Sequence, residues 1–242
     1  MRPISSFELT LPTPEENLAL DEALLDEAEQ AATPQEILRL WEPGGLMVVL
    51  GRSSRIDEEV HREACRADGV PVLRRPSGGA AILTGPGCLM YALVLSYDLR
   101  PALRSVDLAH RFVLNVIASA LRPLADSVRC RGISDLAMAD RKISGNSMRC
   151  RKRHLLYHGT LLYRFPLELV GRYLRTPPRQ PDYRAGRDHA SFLTNLPLSR
   201  TALGAALASA WQATAPCARW PQEQTAQLVR ERYSLCEWNE AV

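Results

Sequence analysis

The sequence predicts an α/β or α+β fold, because helical and strand patterns alternate irregularly along its 242 residues. The helical stretches carry apolar residues at every third or fourth position, whereas the strand stretches are short and almost continuously apolar. With 46% hydrophobic and 24% charged residues, the composition is that of an ordinary globular chain. No linker divides the sequence, so we expect a single domain over residues 1–242.

The first helix is predicted to begin after Thr13, which can cap it, with a proline and then a glutamate in the first turn. A second helix follows Ser105, where apolar residues recur at helical spacing. Two further helices are predicted, one in the alanine-rich stretch 200–212 and one after Pro221.

Short apolar runs predict buried strands at 46–50, 70–73, 90–96 and 155–163. By contrast, the stretch 176–189 is rich in proline and arginine, which predicts an ordered or semi-ordered loop.

The net charge of +3 averages two unlike regions. Residues 1–60 carry 4 Arg against 13 Asp and Glu, whereas residues 122–153 carry 9 Lys and Arg against 3 Asp. The basic region suits an anionic ligand or an acidic protein face, although a charge run alone is also compatible with a solvated surface strip. We expect no nucleic-acid binding, because the aromatic residues typical of single-strand binders are missing.

No apolar stretch reaches the roughly 18 residues of a membrane span, and no signal-peptide core is present. We therefore expect a cytoplasmic protein without a membrane partner.

The sequence has 30 basic residues, of which only Lys142 and Lys152 are lysines. A lysine retained among so many arginines suggests a need for a compact, mobile charge.

The six cysteines form no C-x-x-C pair, and the five histidines show no spacing typical of metal ligands. We therefore expect free thiols and no protein-bound metal.

One candidate site begins where a predicted strand runs into Arg74 and Arg75 and then into a turn that contains Ser77, Gly78 and Gly79. The arginines offer paired donors for a carboxylate or phosphate. The glycines allow the backbone to approach an anion closely. Spacing alone is equally compatible with a simple glycine turn between two strands.

A second candidate site spans residues 135–146 and 157–160. Asp140 is predicted to lie at a hairpin turn, with Arg141 and Lys142 opening the returning strand. Lys142 could then face a pocket that holds an anion, or it could be exposed to solvent.

Together these segments resemble the biotin/lipoate protein ligase catalytic domain, and within it the lipoate–protein ligase branch. The resemblance agrees in order and spacing from about residue 14 to 196. It is carried by NLALDE at 17–22, VVLGRS at 48–53, RRPSGGAA at 74–81, RKISG at 141–145, HGTLL at 158–162 and TNL at 194–196.

The resemblance implies a mixed β-sheet flanked by helices, with a core over 14–196 and helices over 197–242. It implies activation of lipoate or octanoate by ATP, with Mg²⁺ carried on the nucleotide, and transfer of the acyl group to a lysine of a lipoyl-carrier domain. An acidic face on that carrier would complement the basic region, and an accessory subunit is a further expected partner. No separate accessory C-terminal domain is expected within this chain.

The resemblance also assigns residues. Lys142 is the expected catalytic ammonium group, which stabilises negative charge on the reacting oxygens. The expected substrate-binding residues are Arg74, Arg75, Ser77, Gly78, Gly79, Asp135, Ser144, Gly145 and His158.

Two alternatives remain open, because Thr84-Gly85 and Gly87-Cys88 stand where the ligases typically have His-Asp and Gly-Asn. The first is an ATP-independent octanoyl or lipoyl transferase with a cysteine acyl-enzyme. Its candidate nucleophile is Cys130, whose pKa the nearby cations could lower, with Cys88 second; either thiol could instead be buried and inert. The other is a non-catalytic scaffold that binds lipoate or a carrier protein.

Overall fold

The computed structural model describes residues 4–213, 215–217 and 219–241. Its strands are β1 Ser5–Glu8, β2 Ile37–Trp41, β3 Met47–Leu50, β4 Val72–Arg74, β5 Ile82–Thr84, β6 Cys88–Ser96, β7 Val128–Arg131, β8 Asp135–Met138, β9 Arg141–Cys150, β10 His154–Leu162 and β11 Ala215–Pro216. Its α-helices are α1 Pro14–Gln30, α2 Ile56–Glu59, α3 Arg62–Ala67, α4 Val106–Leu121, α5 Val170–Tyr173, α6 His189–Phe192, α7 Arg200–Ala210, α8 Gln222–Leu228 and α9 Cys236–Asn239.

A large mixed sheet organises the chain, with eight strands in the order β11-β1-β2-β6-β10-β9-β8-β7. β1 runs parallel to both of its neighbours, whereas the pairs from β2 onward are antiparallel. A smaller sheet, β4-β3-β5, lies beside it. This arrangement of a mixed sheet with flanking helices confirms the predicted fold class.

The helices cover both faces of the large sheet, and β10 shows how the faces differ. Tyr157 and Leu161 lie in the core with residues of α4 and α7. Leu156 packs instead with residues of α1. Because successive side chains of a strand point to opposite faces, His158 and Thr160 also face α1. The candidate site therefore lies on the α1 side of the sheet.

The predicted start of α1 is confirmed. The Thr13 hydroxyl accepts a hydrogen bond from the Glu16 amide at 3.2 Å, and the Glu16 carboxylate accepts one from the Thr13 amide at 2.9 Å. Two of the amides that a helix start leaves without partners are thereby satisfied.

Other elements differ in detail from the sequence prediction. The strand predicted from residue 70 begins at Val72, because Val70 still bonds to the carbonyl of Cys65 and Pro71 has no amide hydrogen. The stretch 197–242, expected to form two helices, contains α7, α8 and α9 as well as a π-helical turn at Val229–Tyr233. Within the part of the chain that the structure describes, no helix combines the length and apolarity needed to cross a membrane.

Candidate active site

A cavity of about 210 Å³ lies between α1, the turn after β4, the strands β9 and β10, and the segment from 177 to 193. One part of its wall is polar and includes Asp135, Lys142 and His158. The rest is mostly apolar, with Met90, Leu162, Phe165, Val170, Leu174 and Phe192 among its residues. Such a cavity suits a molecule with an apolar body and one charged end.

Lys142 lies at the polar wall and is paired with Asp135. Its Nζ atom is 2.7 Å from Oδ1 of Asp135, and the Lys142 side chain retains 25% of its exposure. The other carboxylate oxygen, Oδ2, accepts a hydrogen bond of 2.8 Å from the hydroxyl of Tyr183. As predicted, Asp140 lies at the turn of the β8–β9 hairpin, and β9 begins at Arg141. The hairpin thus brings Lys142 against the first residue of β8.

Gly145 leaves room for the Lys142 side chain. A β-carbon at this position would lie 3.0 Å from Nζ and 3.1 Å from Cε of Lys142. Any side chain here would therefore push the ammonium group away from Asp135. Ser144, its neighbour, is 1% exposed and is likewise among the cavity residues.

A row of residues on neighbouring strands runs across the cavity floor from the polar to the apolar wall. Asp135 pairs with Gly145, the Gly145 amide donates to Oγ1 of Thr160 at 3.3 Å, and Thr160 pairs with Met90. Adjacent strands are about 4.8 Å apart, so about 14 Å separates the two ends of the row. Met90 and Asp135 therefore lie at opposite ends of this row.

His158 is held between Ser77 and Asp21. Its Nε2 is 2.5 Å from Oγ of Ser77, and its Nδ1 is 3.6 Å from Oδ2 of Asp21. Asp21 is also paired with Arg39 at 2.5 Å in the protein interior. The Ser77 hydroxyl accepts from Nε of Arg75 at 3.2 Å, so we assign its own proton to Nε2 and the histidine proton to Nδ1. Ser77 itself is 1% exposed and does not line the cavity.

Arg74 is not part of the cavity wall, contrary to the expectation that it binds substrate. It is fully buried, and its guanidinium donates to backbone carbonyls. The acceptors, at 2.7 to 3.2 Å, are those of Gly51, Arg52, Ser54, Trp238 and Asn239. Arg74 thus ties the loop after β3 to the C-terminal helix α9, and these donors are no longer available to a ligand.

Arg75 does line the cavity, but its donors are also committed. They bind the carbonyls of Val49, Gly78 and Ala80. Burial lowers the pKa of Arg75 to about 10. This side chain therefore supports the glycine turn from within.

The two glycines of that turn have different surroundings. Gly79 lines the cavity and has a φ of +88°, a conformation that side-chain-bearing residues rarely adopt. Gly78 is not among the cavity residues, and its carbonyl accepts from Arg75 and from Ser147. Of the two glycines predicted to cradle an anion, Gly79 therefore faces the cavity and Gly78 does not.

Cys130 lies outside the cavity, and burial raises the pKa of its thiol above the usual value. The expected lowering fails because successive residues of β7 point to opposite faces. Arg129 and Arg131 lie on the other face and pair with Asp140. Cys88 is fully buried, and burial raises the pKa of its thiol to about 12. Neither thiol has the environment of an activated nucleophile.

Four residues of the site were not singled out in the sequence: Asp21, Arg39, Tyr183 and Arg184. Asp21 lies within the NLALDE motif at helical spacing, which is the signal that could have identified it. Tyr183 and Arg184 lie in the stretch 176–189, which showed only its proline and arginine content. Nothing in that composition distinguishes Arg184 from its neighbours. Among the residues that the structure describes, no three His, Cys, Asp or Glu side chains are grouped as metal ligands.

Comparison with known families gives a match over residues 13–200 to the model described as the lipoyl protein ligase A/B catalytic domain. Two curated relatives, both provisionally named lipoate-protein ligase A, are similar in sequence. The protein from Aeropyrum pernix is 36% identical over 151 residues, which cover 62% of this chain and 54% of the relative. The protein from Schizosaccharomyces pombe is 30% identical over 163 residues, which cover 66% of this chain and 41% of the relative. The chain thus spans about half the length of these curated relatives.

Solved structures share the fold. A Thermoplasma acidophilum protein provisionally named lipoate protein ligase, with bound lipoic acid, has a TM-score of 0.82 at 20% identity, with both chains fully covered. A lipoate-protein ligase A bound with ATP has a TM-score of 0.77 at 21% identity, with 99% of each chain covered. A structure of a bipartite T. acidophilum lipoate protein ligase and its E2 lipoyl domain gives 0.79 at 22% identity, covering 98% of this chain and 96% of that one.

Proposed function

Because the chain belongs to the family of lipoyl protein ligase A/B catalytic domains, we propose that it is a lipoate–protein ligase. It uses ATP to convert the carboxylate of lipoate or octanoate into an acyl-adenylate. It then passes the acyl group to a lysine of a lipoyl-carrier domain. The similar proteins with bound lipoic acid and with bound ATP support both substrates.

The observation that carries the proposal is the position of Lys142, which pairs with Asp135 at 2.7 Å on the polar wall of a cavity that is otherwise largely apolar. An acyl acid has the matching form, since its chain is apolar and its reacting carboxylate is charged. With the chain against the apolar wall, the carboxylate lies near the ammonium group. We therefore assign Lys142 as the catalytic residue.

In the first step, a carboxylate oxygen attacks the α-phosphorus of ATP, and the bond to the bridging oxygen breaks to release pyrophosphate. In the second step, the neutral amine of the carrier lysine attacks the acyl carbon. AMP leaves with the bonding electron pair, and the amine loses a proton. Negative charge develops on phosphate or acyl oxygens in both steps, and the Lys142 ammonium group stabilises it.

Neighbouring residues keep the catalytic group in place. Asp135, itself bonded to Tyr183, orients Lys142. His158 presents a face to the cavity while Ser77 and Asp21 fix its ring. We expect Mg²⁺ to be bound mainly by the nucleotide phosphates, an arrangement that requires few protein ligands.

We propose a lipoyl-carrier domain with an acidic face as the acceptor. The similar bipartite ligase described with its E2 lipoyl domain supports a carrier of this kind. The exposed Arg175 and Arg179 near the cavity favour an acidic face on it, so the Michaelis constant for the carrier should rise with salt. An accessory subunit is a second proposed partner.

We also propose a cytoplasmic location. The six free thiols fit the reducing conditions of that compartment.

The test is an acylation assay with an apo lipoyl domain. Free lipoate with ATP, free lipoate without ATP, and an octanoyl-carrier thioester without ATP are compared as acyl sources. We expect transfer from lipoate with ATP, accompanied by pyrophosphate release, and loss of transfer in Lys142→Ala. Lys152→Ala is the matched control, because the only other lysine of the chain is exposed and lies outside the cavity.

Each contrary result identifies a different error. Activity of Lys142→Ala within a few-fold of wild type would refute the assignment of the catalytic residue. Transfer from the thioester without ATP, lost in Cys130→Ser, would establish the transferase alternative. Binding of lipoate and ATP without pyrophosphate release would identify a scaffold.

A further inference from the structure

We propose that Arg184 is a substrate-binding residue of the cavity, and that the free amino groups of its guanidinium bind a substrate oxyanion. The oxyanion is either the carboxylate of the acyl acid or a phosphate of the nucleotide. These two sources follow from the proposed function, on which the inference rests.

The first observation is that the Arg184 side chain is buried although one of its nitrogen atoms has no hydrogen-bond partner among the described residues. The residue is 3% exposed and belongs to the cavity wall. Its Nε donates to the carbonyl of Arg187 at 2.8 Å, and its guanidinium lies 4.8 Å from the centre of the Phe192 ring. Its Nη2 is buried without a hydrogen-bond partner among the described residues. The plane of the group is therefore fixed while donors remain unused.

An unpaired buried charge of this kind costs free energy, and burial lowers the pKa of Arg184 accordingly. The carboxylate of Asp188, which attracts Arg184, accepts a hydrogen bond of 2.7 Å from the Ser191 amide and caps α6. The neighbouring Arg187 adds repulsion. Asp188 attracts Arg184 but forms no ion pair with it, so Nη2 of Arg184 has no acceptor among the described residues, and an oxyanion that reached it would supply one.

Comparison with other arginines shows that this arrangement is specific to Arg184. Arg75, also in the cavity wall, donates to three carbonyls and a hydroxyl. Elsewhere in the described parts of the chain, buried guanidinium nitrogens without partners are the Nε atoms of Arg131, Arg149 and Arg151, and none of these residues lines the cavity.

The segment that carries Arg184 is attached to the hairpin that carries Lys142. Tyr183 donates to Asp135, and Arg187 donates to the carbonyl of Asp140 at 2.9 Å. The Thr194 amide donates to the carbonyl of Lys142 at 2.9 Å. An anion bound by Arg184 is thus held in the same cavity as the Lys142 ammonium group, on a wall fixed relative to it.

The experiment measures ligand discrimination in Arg184→Met, with Arg184→Lys as the conservative variant. Arg111→Met, which removes an exposed arginine of α4, is the control. Calorimetry gives the affinity ratio of ATP to adenosine and the ratio of lipoate to lipoamide. We expect Arg184→Met to lower one ratio by at least about tenfold, because a hydrogen bond to a charged group is lost. Arg184→Lys should recover part of that loss.

The ratio that falls identifies the source: ATP over adenosine indicates a phosphate, and lipoate over lipoamide indicates the carboxylate. Both ratios unchanged in Arg184→Met would overturn the inference. Failure of the wild type to bind either charged ligand would overturn the proposed function, and the inference with it.

Thermal unfolding separates binding from a purely structural role. In the absence of ligand, Arg184→Met should change the unfolding midpoint only slightly, since the variant loses the hydrogen bond to Arg187 but also removes an unpaired buried charge. The midpoint increase produced by the bound charged ligand should be smaller than in wild type. A large fall of the midpoint without ligand, with both ratios retained, would show that Arg184 is structural.

Discussion

The ammonium group of Lys142 and the carboxylate of Asp135 lie 2.7 Å apart, although seven positions separate these residues in the sequence. The turn of the β8–β9 hairpin brings them together, and the hydroxyl of Tyr183 fixes the carboxylate from the other side. Because Asp135 is almost fully buried, the ammonium group has a defined resting position.

Asp135→Asn should lower kcat by about 100-fold while changing the Michaelis constant for lipoate much less, because the ammonium group loses its fixed position. Tyr183→Phe removes only the hydrogen bond to the carboxylate and should cost a few-fold. Steady-state kinetics of the two variants test this order. A Michaelis constant that rises as much as kcat falls would show that Asp135 acts in binding instead.

Met90 should set the length of the acyl chain that the cavity accepts. Its sulfur is backed by the buried Thr84 and Cys88, at 3.2 Å and 4.0 Å, so this end of the cavity is closed. Met90→Ala should shift the preference from octanoate towards longer acids, and Met90→Phe towards shorter ones. Competition between fatty acids of different length measures the shift. Met148, which packs against the opposite core, provides Met148→Ala as the control.

Cys130 should react slowly with iodoacetamide at neutral pH, since burial raises the pKa of its thiol and the thiolate is the reactive form. Its rate should rise as the pH increases beyond the usual range of cysteine. The exposed Cys150 and Cys236 provide the reference within the same chain. Mass spectrometry of the labelled peptides gives the three rates. Faster labelling of Cys130 than of both references would contradict the structure.

Arg74→Met should destabilise the fold by about 3 kcal/mol or more, because several buried carbonyls lose their donor at once. Denaturant unfolding measures the loss, with the exposed Arg66→Met as the control. Hydrogen exchange should also become faster in residues 236–239, which depend on this side chain. A loss below about 1 kcal/mol, the value of one ordinary hydrogen bond, would contradict the assigned role.

The sequence predicted the elements whose physics is local. The capping residues before α1, the spacing within α4 and the hairpin around Asp140 all follow from interactions between near neighbours in the chain. The motif resemblance likewise drew attention to Lys142, which lines the cavity. Local patterns could not predict how the arginines are used, because that depends on contacts between distant segments. Arg74 and Arg75 looked like anion binders, yet their donors meet carbonyls that only the folded chain brings to them.

The contacts of Arg74 with Trp238 and Asn239 also make assembly of the site depend on the order of synthesis. The strand that leads into the glycine turn is made when about a third of the sequence has left the ribosome, whereas its partners come four residues or fewer before residue 242. Until they emerge, the guanidinium lacks two of its five carbonyl acceptors and α9 cannot close over it. A nascent or prematurely ended chain should therefore hold the turn loosely. Full order in the glycine turn therefore requires that residues 238 and 239 have already been synthesised.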